Sequence, residues 1–226
     1  MPNIPYAACI FDLDGTLANT LESIAYFGNG ALSAFGFPPI EPLVYRRLVG
    51  NGADLLMRRM LAQVGATLSP ADLARFRAEY DRLYESDPMK LVAPYPGLPQ
   101  LLEKLRGQGI KLGVLSNKPD NMTRFITGEL YGSLVHQVHG QRQGIPTKPD
   151  PTALLAMAEE LMARPQEVLY IGDSGVDMDT GRNAGMDTCG VLWGFRDREE
   201  LERHGAKYLA ATGEELARII YGRQTR

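Results

Sequence analysis

The sequence predicts an α/β protein in which a doubly wound parallel sheet carries an inserted helical segment. From about residue 98 onward, short apolar runs alternate with helical patterns, which is typical of right-handed crossovers onto a parallel sheet. Residues from about 20 to 90 show apolar side chains at helical spacing only. An apolar run at residues 6–11 precedes them and is typical of a buried central strand. We therefore predict a Rossmann-like core over residues 1–19 and 92–226 and an all-helical cap over residues 20–91.

The inserted segment is predicted to contain three helices. The first includes Ile24 and ends before Gly36, and the second ends near Gly65. The third begins at Ser69 and Pro70, because serine is a favoured cap and proline suits the first turn. Prolines and a glycine in residues 88–97 then close the segment.

The remainder of the core is predicted to alternate strand and helix. The predicted elements are a helix from 98 to 107 or 109, a strand over 110–115, a helix from Pro119 to about 130, a strand over 134–138, a helix from 150–151, a strand over 168–171, a helix over about 176–184, a strand over 188–192, a short helix near 201, a strand over 207–210 and a helix over 214–221.

Composition excludes several classes of protein. The chain has 226 residues, is 44% hydrophobic and carries a formal net charge of −3, which disfavours nucleic acid or an anionic membrane as partner. Cys9 and Cys189 lie in apolar runs and do not imply a disulfide framework. The first residues lack the basic and apolar stretches of a signal peptide. We expect a cytoplasmic protein, monomeric or homodimeric.

Two acidic residues follow the first predicted strand. Asp12 and Asp14 are two residues apart, so in an extended chain both side chains leave from one face, and Gly15 then permits a sharp turn. Ligands of open parallel sheets bind at the carboxyl ends of the strands. Paired carboxylates suit a nucleophile, a general acid/base and a divalent metal. The alternative is a polar turn, since Asp and Gly are common in turns.

Polar residues also follow the strand over 110–115 and precede a later helix. Ser116 and Asn117 come before Pro119, where a helix N-terminus would offer free N–H groups to a phosphate. A plain helix cap explains them equally well. Lys148 lies in a loop before the Asp150 cap, and without further context a loop lysine is simply solvated.

The strand over 168–171 ends in a second pair of acids. Asp173 and Asp177 are four residues apart, so they share one face of a helical turn if the helix begins there. One explanation for these acids is that negative charge near a helix N-terminus is stabilised by the helix dipole. They also supply the oxygen ligands of a hard cation, which is another.

Taken together, these polar sets converge, because parallel strands bring their carboxyl ends to one edge of the sheet. The predicted site holds Mg²⁺ and an anionic substrate such as a small phosphorylated metabolite, and its residues are Asp12, Asp14, Asp173, Asp177, Lys148 and Ser116.

The order of these motifs resembles the haloacid dehalogenase superfamily over essentially the whole chain. The matching residues are Asp12-x-Asp14-Gly15-Thr16, Ser116, Lys148-Pro149 and Gly172-Asp173-x-x-x-Asp177. The second aspartate of the first motif points to the phosphotransfer branch. Further stretches resemble bacterial phosphoglycolate phosphatases, namely those at residues 49–53, 95–97, 116–119 and 183–186.

The resemblance implies a role for each motif residue. Asp12 would attack phosphorus and form an aspartyl-phosphate, while Asp14 would protonate the leaving group and then activate water. Mg²⁺ would be held by Asp12, Asp173 and the backbone carbonyl of Asp14, with Asp177 binding the metal or orienting its waters. The residues implied in phosphate binding are Leu13, Asp14, Ser116, Asn117 and Lys148. Lys148 would also act in catalysis by neutralising charge between the phosphate and the nucleophile.

The inserted segment is less informative about the substrate. Gly50, Asn51 and Gly52 are predicted to form a loop facing the site, although these residues also suit an ordinary turn. Asn19-Thr20 stands where many relatives have Asp-Ser. The favoured function is a Mg²⁺-dependent phosphomonoester hydrolase acting on 2-phosphoglycolate. The alternatives are a phosphosugar mutase of the β-phosphoglucomutase kind, a pyrophosphatase and a non-catalytic relative.

Overall fold

The apolar runs of the sequence form the strands of a central sheet. The computed structural model describes residues 6–222, and its strands are β1 (Ala8–Phe11), β2 (Ala18–Asn19), β3 (Ala93–Pro94), β4 (Lys111–Pro119), β5 (Gln137–Gln141), β6 (Val168–Gly172), β7 (Asp187–Val191) and β8 (Tyr208–Ala210). Six of them pair in parallel in the order β5-β4-β1-β6-β7-β8. The predicted α/β fold with a Rossmann-like parallel sheet is confirmed.

Helices connect these strands and fill the inserted segment. They are α1 (Leu21–Ala34), α2 (Tyr45–Leu48), α3 (Ala53–Gln63), α4 (Pro70–Ser86), α5 (Leu98–Gly107), α6 (Asp120–Tyr131), α7 (Thr152–Glu160), α8 (Gly175–Asn183), α9 (Arg198–Arg203) and α10 (Gly213–Ile220). Short 3₁₀ turns lie at Pro42–Val44, Gly132–Leu134 and Pro165–Glu167. Within residues 6–222, no helix combines the length and the apolar character that crossing a membrane requires.

The alternation of side chains along β1 divides the core between the two faces of the sheet. Cys9 and Phe11 belong to one apolar cluster, whereas Ala8 and Ile10 belong to another on the opposite face. All four are essentially inaccessible to solvent. A strand buried on both faces must be apolar throughout, which explains the continuous apolar run in the sequence.

Helices α1 and α4 pack on each other through aromatic side chains. Phe27 of α1 lies 4.7 Å from Tyr84 of α4, and Phe35 lies 5.3 Å from Phe76, measured between ring centroids. Ser69 caps α4 as predicted, because its side chain accepts a hydrogen bond from the backbone of Asp72. The inserted segment is therefore helical, and its status as a separate cap domain stays a prediction.

The two stretches of chain that lead into and out of the inserted segment lie next to each other. Strands β2 and β3 are antiparallel, with Ala18 opposite Pro94 and Asn19 opposite Ala93. The sequence pattern gave no sign of this pair, because two residues per strand are too few to show a period.

The register of the sheet aligns the polar strand ends. Phe11, the last residue of β1, lies opposite Val114 of β4 on one side and Ile171 of β6 on the other. The residues that follow Phe11, Val114 and Ile171 therefore meet at one edge, as the sequence predicted.

Two predicted strand boundaries in this half of the sheet are wrong. Strand β4 continues to Pro119, and α6 begins only at Asp120, so Ser116 does not lie at a helix N-terminus. Proline fixes φ but does not force a helix, and here Pro119 is extended with ψ of 140°. Strand β5 begins at Gln137 rather than at Leu134, which ends a 3₁₀ turn.

Candidate active site

Asp12 and Asp14 follow the end of β1 and both line one cavity, but their side chains contact different neighbours. The Oδ1 atom of Asp12 accepts a hydrogen bond of 2.7 Å from the backbone N–H of Leu13 and lies 2.9 Å from Nζ of Lys148. The Asp14 carboxylate lies beside Lys118 instead. The extended geometry expected for this stretch is absent, because the chain turns at Leu13.

The turn after Asp14 presses Gly15 against the neighbouring strand end. Gly15 has φ of +82°, and a Cβ atom there would stand 2.2 Å from Oδ2 of Asp173. Only glycine combines this backbone conformation with so close an approach. The glycine of the first motif thus lets the ends of β1 and β6 come together.

Asp173 and Asp177 follow β6 but occupy different positions relative to α8. Asp173 precedes the helix, and its Oδ2 atom accepts a hydrogen bond of 2.6 Å from the backbone N–H of Phe195. Asp177 lies in the first turn, where Oδ2 accepts hydrogen bonds from the hydroxyl and the backbone N–H of Ser174. The shared helical turn considered for the two acids is therefore not formed.

Three carboxylates nevertheless converge. Asp12, Asp173 and Asp177 are all buried, and each offers an oxygen within 4.8 Å of the others. Burial raises the pKa of Asp12 to about 7, against the opposing charge of Lys148 and with the support of Asp177. Burial, Asp177 and Asp12 likewise raise the pKa of Asp173 well above its usual range. Buried oxygens with this excess of negative charge fit a hard divalent cation such as Mg²⁺.

Lys148 is the cation that balances part of this charge. Its Nζ atom lies 2.9 Å from Asp12 Oδ1 and 2.7 Å from Asp177 Oδ1, and it also donates to the carbonyl of Leu115. Burial alone would lower the pKa of Lys148, but the two carboxylates outweigh it and the pKa is raised. Lys148 is only 5% exposed, which excludes the solvated loop lysine considered from the sequence.

Asn117 holds the Lys148 loop against β4. Its Oδ1 atom accepts the backbone N–H of Lys148 at 2.9 Å, and its Nδ2 atom donates to the carbonyl of Lys148 at 3.2 Å. A weaker bond of 3.4 Å reaches the carbonyl of Gly50. These contacts give Asn117 a positioning role for Lys148, and its contact with a phosphate stays a prediction.

Ser116 lies on the cavity wall near the end of β4 and is almost completely buried. Its hydroxyl oxygen accepts a hydrogen bond of 3.2 Å from the backbone N–H of Lys118. The hydroxyl can therefore still donate its proton to an oxygen placed in the cavity. Ser116 reaches this position from an extended strand, not from the helix N-terminus that was expected.

Lys118 is a site residue that reasoning from the sequence missed. Its Nζ atom lies 3.2 and 3.4 Å from the two carboxylate oxygens of Asp14 and 4.4 Å from the ring centre of Tyr84. Burial lowers its pKa, but the Asp14 charge outweighs this and the net pKa is raised. A signal was present, since Lys118 and Ser116 are two apart in an extended chain and so share a face.

The cavity extends from the carboxylates towards the helical segment. Its upper wall is mostly apolar and includes Ile24, Val49, Leu56, Tyr80, Tyr84 and Met122. Gly50 and Gly52 line it, and their part in substrate specificity stays a prediction. Asn51 lies on a neighbouring cleft, where its side chain accepts a hydrogen bond from Arg59.

Comparison with known proteins assigns this arrangement to a family. The model of the haloacid dehalogenase-like hydrolases matches residues 9–191, which include all the motif residues described above. The chain belongs to the haloacid dehalogenase-like hydrolases. The resemblance seen in the motifs is thereby confirmed.

Relatives of this family member are named as phosphatases. A phosphoglycolate phosphatase of Rhodospirillum rubrum is 34% identical over 88% of this chain and 84% of its own length. An N-acetylmuramic acid 6-phosphate phosphatase of Pseudomonas aeruginosa is 31% identical over 97% of each chain. A crystal structure of a predicted phosphoglycolate phosphatase from Haemophilus somnus superposes with a TM-score of 0.88 and 25% identity, covering 97% of this chain and 99% of that one. The predicted class, a phosphatase of this family, is confirmed by these matches.

Proposed function

We propose that the protein is a Mg²⁺-dependent phosphomonoester hydrolase that forms an aspartyl-phosphate on Asp12. The observation that carries this proposal is the buried group of Asp12, Asp173 and Asp177, joined by Lys148 and open to a cavity that Asp14 also lines. A protein that only binds a partner has no need of so much buried like charge. Phosphoryl transfer does need it, because positioning and charge neutralisation provide most of its rate.

The metal would be held by Asp12, Asp173 and the backbone carbonyl of Asp14, with Asp177 as ligand or as orienting group. These are oxygen donors, which Mg²⁺ prefers. Bound there, Mg²⁺ would supply charge neutralisation for the phosphoryl oxygens. Lys148 adds a positive charge beside Asp12, and Asn117 keeps it in place.

The reaction follows from the positions of the two aspartates. A carboxylate oxygen of Asp12 forms a bond to phosphorus while the bond between phosphorus and the ester oxygen breaks. The leaving oxygen takes a proton from Asp14, which lines the same cavity. Water then attacks phosphorus and gives its proton to Asp14, and the bond from phosphorus to Asp12 breaks. Inorganic phosphate leaves, and both aspartates return to their starting states.

The phosphoryl oxygens would be bound by Ser116, by Lys148 and by the backbone N–H groups of Leu13 and Asp14. The Leu13 N–H donates to Asp12 in the structure, so it would exchange this bond for a phosphoryl oxygen. Each of these donors is charged or fixed by the backbone, as stabilisation of a developing charge requires.

The substrate we propose is 2-phosphoglycolate. The names of several relatives support this choice, including that of the Rhodospirillum rubrum protein. The Pseudomonas aeruginosa relative is named for a sugar phosphate instead, so the substrate panel must contain both. Pyrophosphate, and glucose 1-phosphate with a bisphosphate primer, would reveal the pyrophosphatase or mutase alternatives. Cytoplasmic location and a monomeric or homodimeric state stay predictions.

The mechanism is tested by Asp12→Asn. This change keeps the shape of the side chain but removes the nucleophile, so turnover should fall by at least about 10⁴-fold while the fold is retained. Acid quenching of the wild type during turnover, followed by borohydride reduction, should convert Asp12 to homoserine in a peptide that mass spectrometry identifies. Near-native turnover of Asp12→Asn would exclude the covalent mechanism, and activity in EDTA equal to that in Mg²⁺ would exclude the metal.

A further inference from the structure

Lys118 has no part in the reaction just described, yet it is buried in the site. Its side chain is 8% exposed, and its ammonium group spans both oxygens of the Asp14 carboxylate at 3.2 and 3.4 Å. Ordering and burying a lysine side chain costs both entropy and desolvation. Within residues 6–222, Lys118 forms a salt bridge with Asp14 and with no other carboxylate. Its charge must therefore act on the general acid.

The second neighbour of Lys118 comes from the inserted helices. The ring of Tyr84, on α4, lies 4.4 Å from Nζ of Lys118, within the range of a cation–π contact. Tyr84 is itself fixed, because it is buried and its hydroxyl accepts a hydrogen bond from Ser23. Lys118 is therefore held between a core carboxylate and an aromatic ring of the helical segment.

The orientation of Asp14 matters because a cluster of carboxylates lies nearby. Asp12 and Asp177 share Lys148, and Asp14 does not belong to the group that Asp12, Asp173 and Asp177 form. A free Asp14 side chain could turn towards a metal bound there. The contact of both its oxygens with Lys118 keeps the carboxylate on the cavity side.

We propose that Lys118 is a positioning residue that, supported by Tyr84, directs the Asp14 carboxylate at the departing oxygen of the substrate. The inference rests on the proposed function, and it adds that the inserted helices take part in setting the general acid. Loss of Lys118 should therefore slow proton donation to the leaving group, and it should not slow cleavage of a phosphorus–oxygen bond that needs no proton.

Leaving groups of different basicity separate these two effects. A simple alkyl phosphate needs a proton on its leaving oxygen, whereas p-nitrophenolate leaves without one. The value of kcat/KM reports only the steps up to the first irreversible one, which is transfer to Asp12 with release of the leaving group, so the later hydrolysis of the aspartyl-phosphate does not enter it. We would therefore measure kcat/KM for 2-phosphoglycolate, glycerol 3-phosphate and p-nitrophenyl phosphate in saturating Mg²⁺.

Lys118→Met keeps the length of the side chain and removes its charge. We expect kcat/KM for the alkyl phosphates to fall by about 100-fold, the lower range for loss of a placed general acid, and that for p-nitrophenyl phosphate to fall less than about 5-fold. Tyr84→Leu removes the ring beside Lys118 and should lose about 10-fold on alkyl phosphates only. Lys90→Met is the matched control, because Lys90 lies over the Tyr26 ring at 5.6 Å and away from the carboxylates.

A merely structural role for Lys118 would lower kcat/KM equally for alkyl and aryl substrates, and that result would overturn the inference. If Lys118→Met does not fold, Tyr84→Leu carries the test, and an equal loss on both substrate types there has the same meaning. Absence of Mg²⁺-dependent hydrolysis in the wild type would instead overturn the proposed function, so the two failures are distinct.

Discussion

Replacing Asp173 with asparagine should stabilise the protein in the absence of metal. Asp173 lies within 4.8 Å of two other buried carboxylates, and no salt bridge to it is found within residues 6–222. Its one strong contact is the N–H of Phe195, which an asparagine oxygen can still accept. The substitution removes a repelled charge and keeps the shape and the hydrogen bond.

The size of the effect follows from Coulomb's law. Two unit charges at 4.8 Å, the upper limit on the separation of these carboxylate oxygens, repel by about 3.5 kcal/mol at an effective dielectric constant of about 20. Lys148 offsets roughly one of the two charges that Asp173 faces, and partial protonation relieves more, since the pKa of Asp173 is raised. We therefore expect Asp173→Asn to raise the free energy of unfolding by about 1–3 kcal/mol, or Tm by about 2–12 °C for a chain of this size.

Thermal unfolding at pH 8, in EDTA and in Mg²⁺, measures both parts of this prediction. Asp12 is largely ionised at this pH, because burial raises its pKa only to about 7. Mg²⁺ at about 100 times its dissociation constant should stabilise the wild type by about 2.7 kcal/mol, and it should stabilise Asp173→Asn far less. Asp54→Asn serves as control, because the Asp54 side chain is 86% exposed. Its effect should stay within about 0.5 kcal/mol.

The reasoning would be refuted if Asp173→Asn unfolded at a lower temperature than the wild type in EDTA. That result would mean that the carboxylate contributes more through its hydrogen bond than it costs through repulsion. An equal response of both proteins to Mg²⁺ would show that Asp173 does not hold the metal.

Two other sites give predictions of a different kind. Asn117→Ala removes two hydrogen bonds to the Lys148 backbone and should cost about 2–4 kcal/mol in urea unfolding; kcat should fall by at least about tenfold because Lys148 is no longer fixed. Asn121→Ala, at an exposed bond, is the control, and unchanged kcat in Asn117→Ala would contradict the positioning role. Burial, helped by nearby basic residues, lowers the pKa of His136, whose Nδ1 atom accepts the N–H of Leu112 at 3.0 Å. The neutral ring is therefore the form that stabilises the fold: its contribution is complete above pH 6.5 and is lost as the pH falls below 6.5 through the lowered pKa of His136, by at most about 1.4 kcal/mol per pH unit. His136→Asn, which does not titrate, should lack this loss, and a stability difference between the two proteins that stays constant with pH would disprove it.

The strands and the edge that they form were predictable because the signal is local. A run such as residues 8–11 is apolar at every position, and a parallel sheet then determines where the carboxyl ends lie. The convergence of Asp12 and Asp173 followed from this geometry. The helix α4 was predictable for the same reason, because its apolar spacing, its serine cap and the proline in its first turn are all local signals.

The features that were missed, namely Lys118 as a site residue and the contacts that Asn117 makes, depend on groups distant in sequence. Lys118 pairs with a residue 104 positions earlier, and no pattern around either residue encodes that distance. Asparagine is common in turns and helix caps, so Asn117 gave no sign of a distant contact. Its partner is the backbone of a loop 31 residues away. Pro119 was interpreted as a helix start, but tertiary pairing with Gln141 keeps it extended. Local preference was in each case overridden by tertiary structure.

The antiparallel pair of β2 and β3 has a consequence for folding. Pairing of β1 with β4 must join residues about 100 positions apart, since Phe11 lies opposite Val114. The chain between Asn19 and Ala93 begins and ends at neighbouring points, because these two residues face each other. If those helices form first, the open loop shortens to about 30 residues, and the entropy of closing it falls by about 1 kcal/mol. A long insertion thus adds little to the time that the sheet needs to find its register.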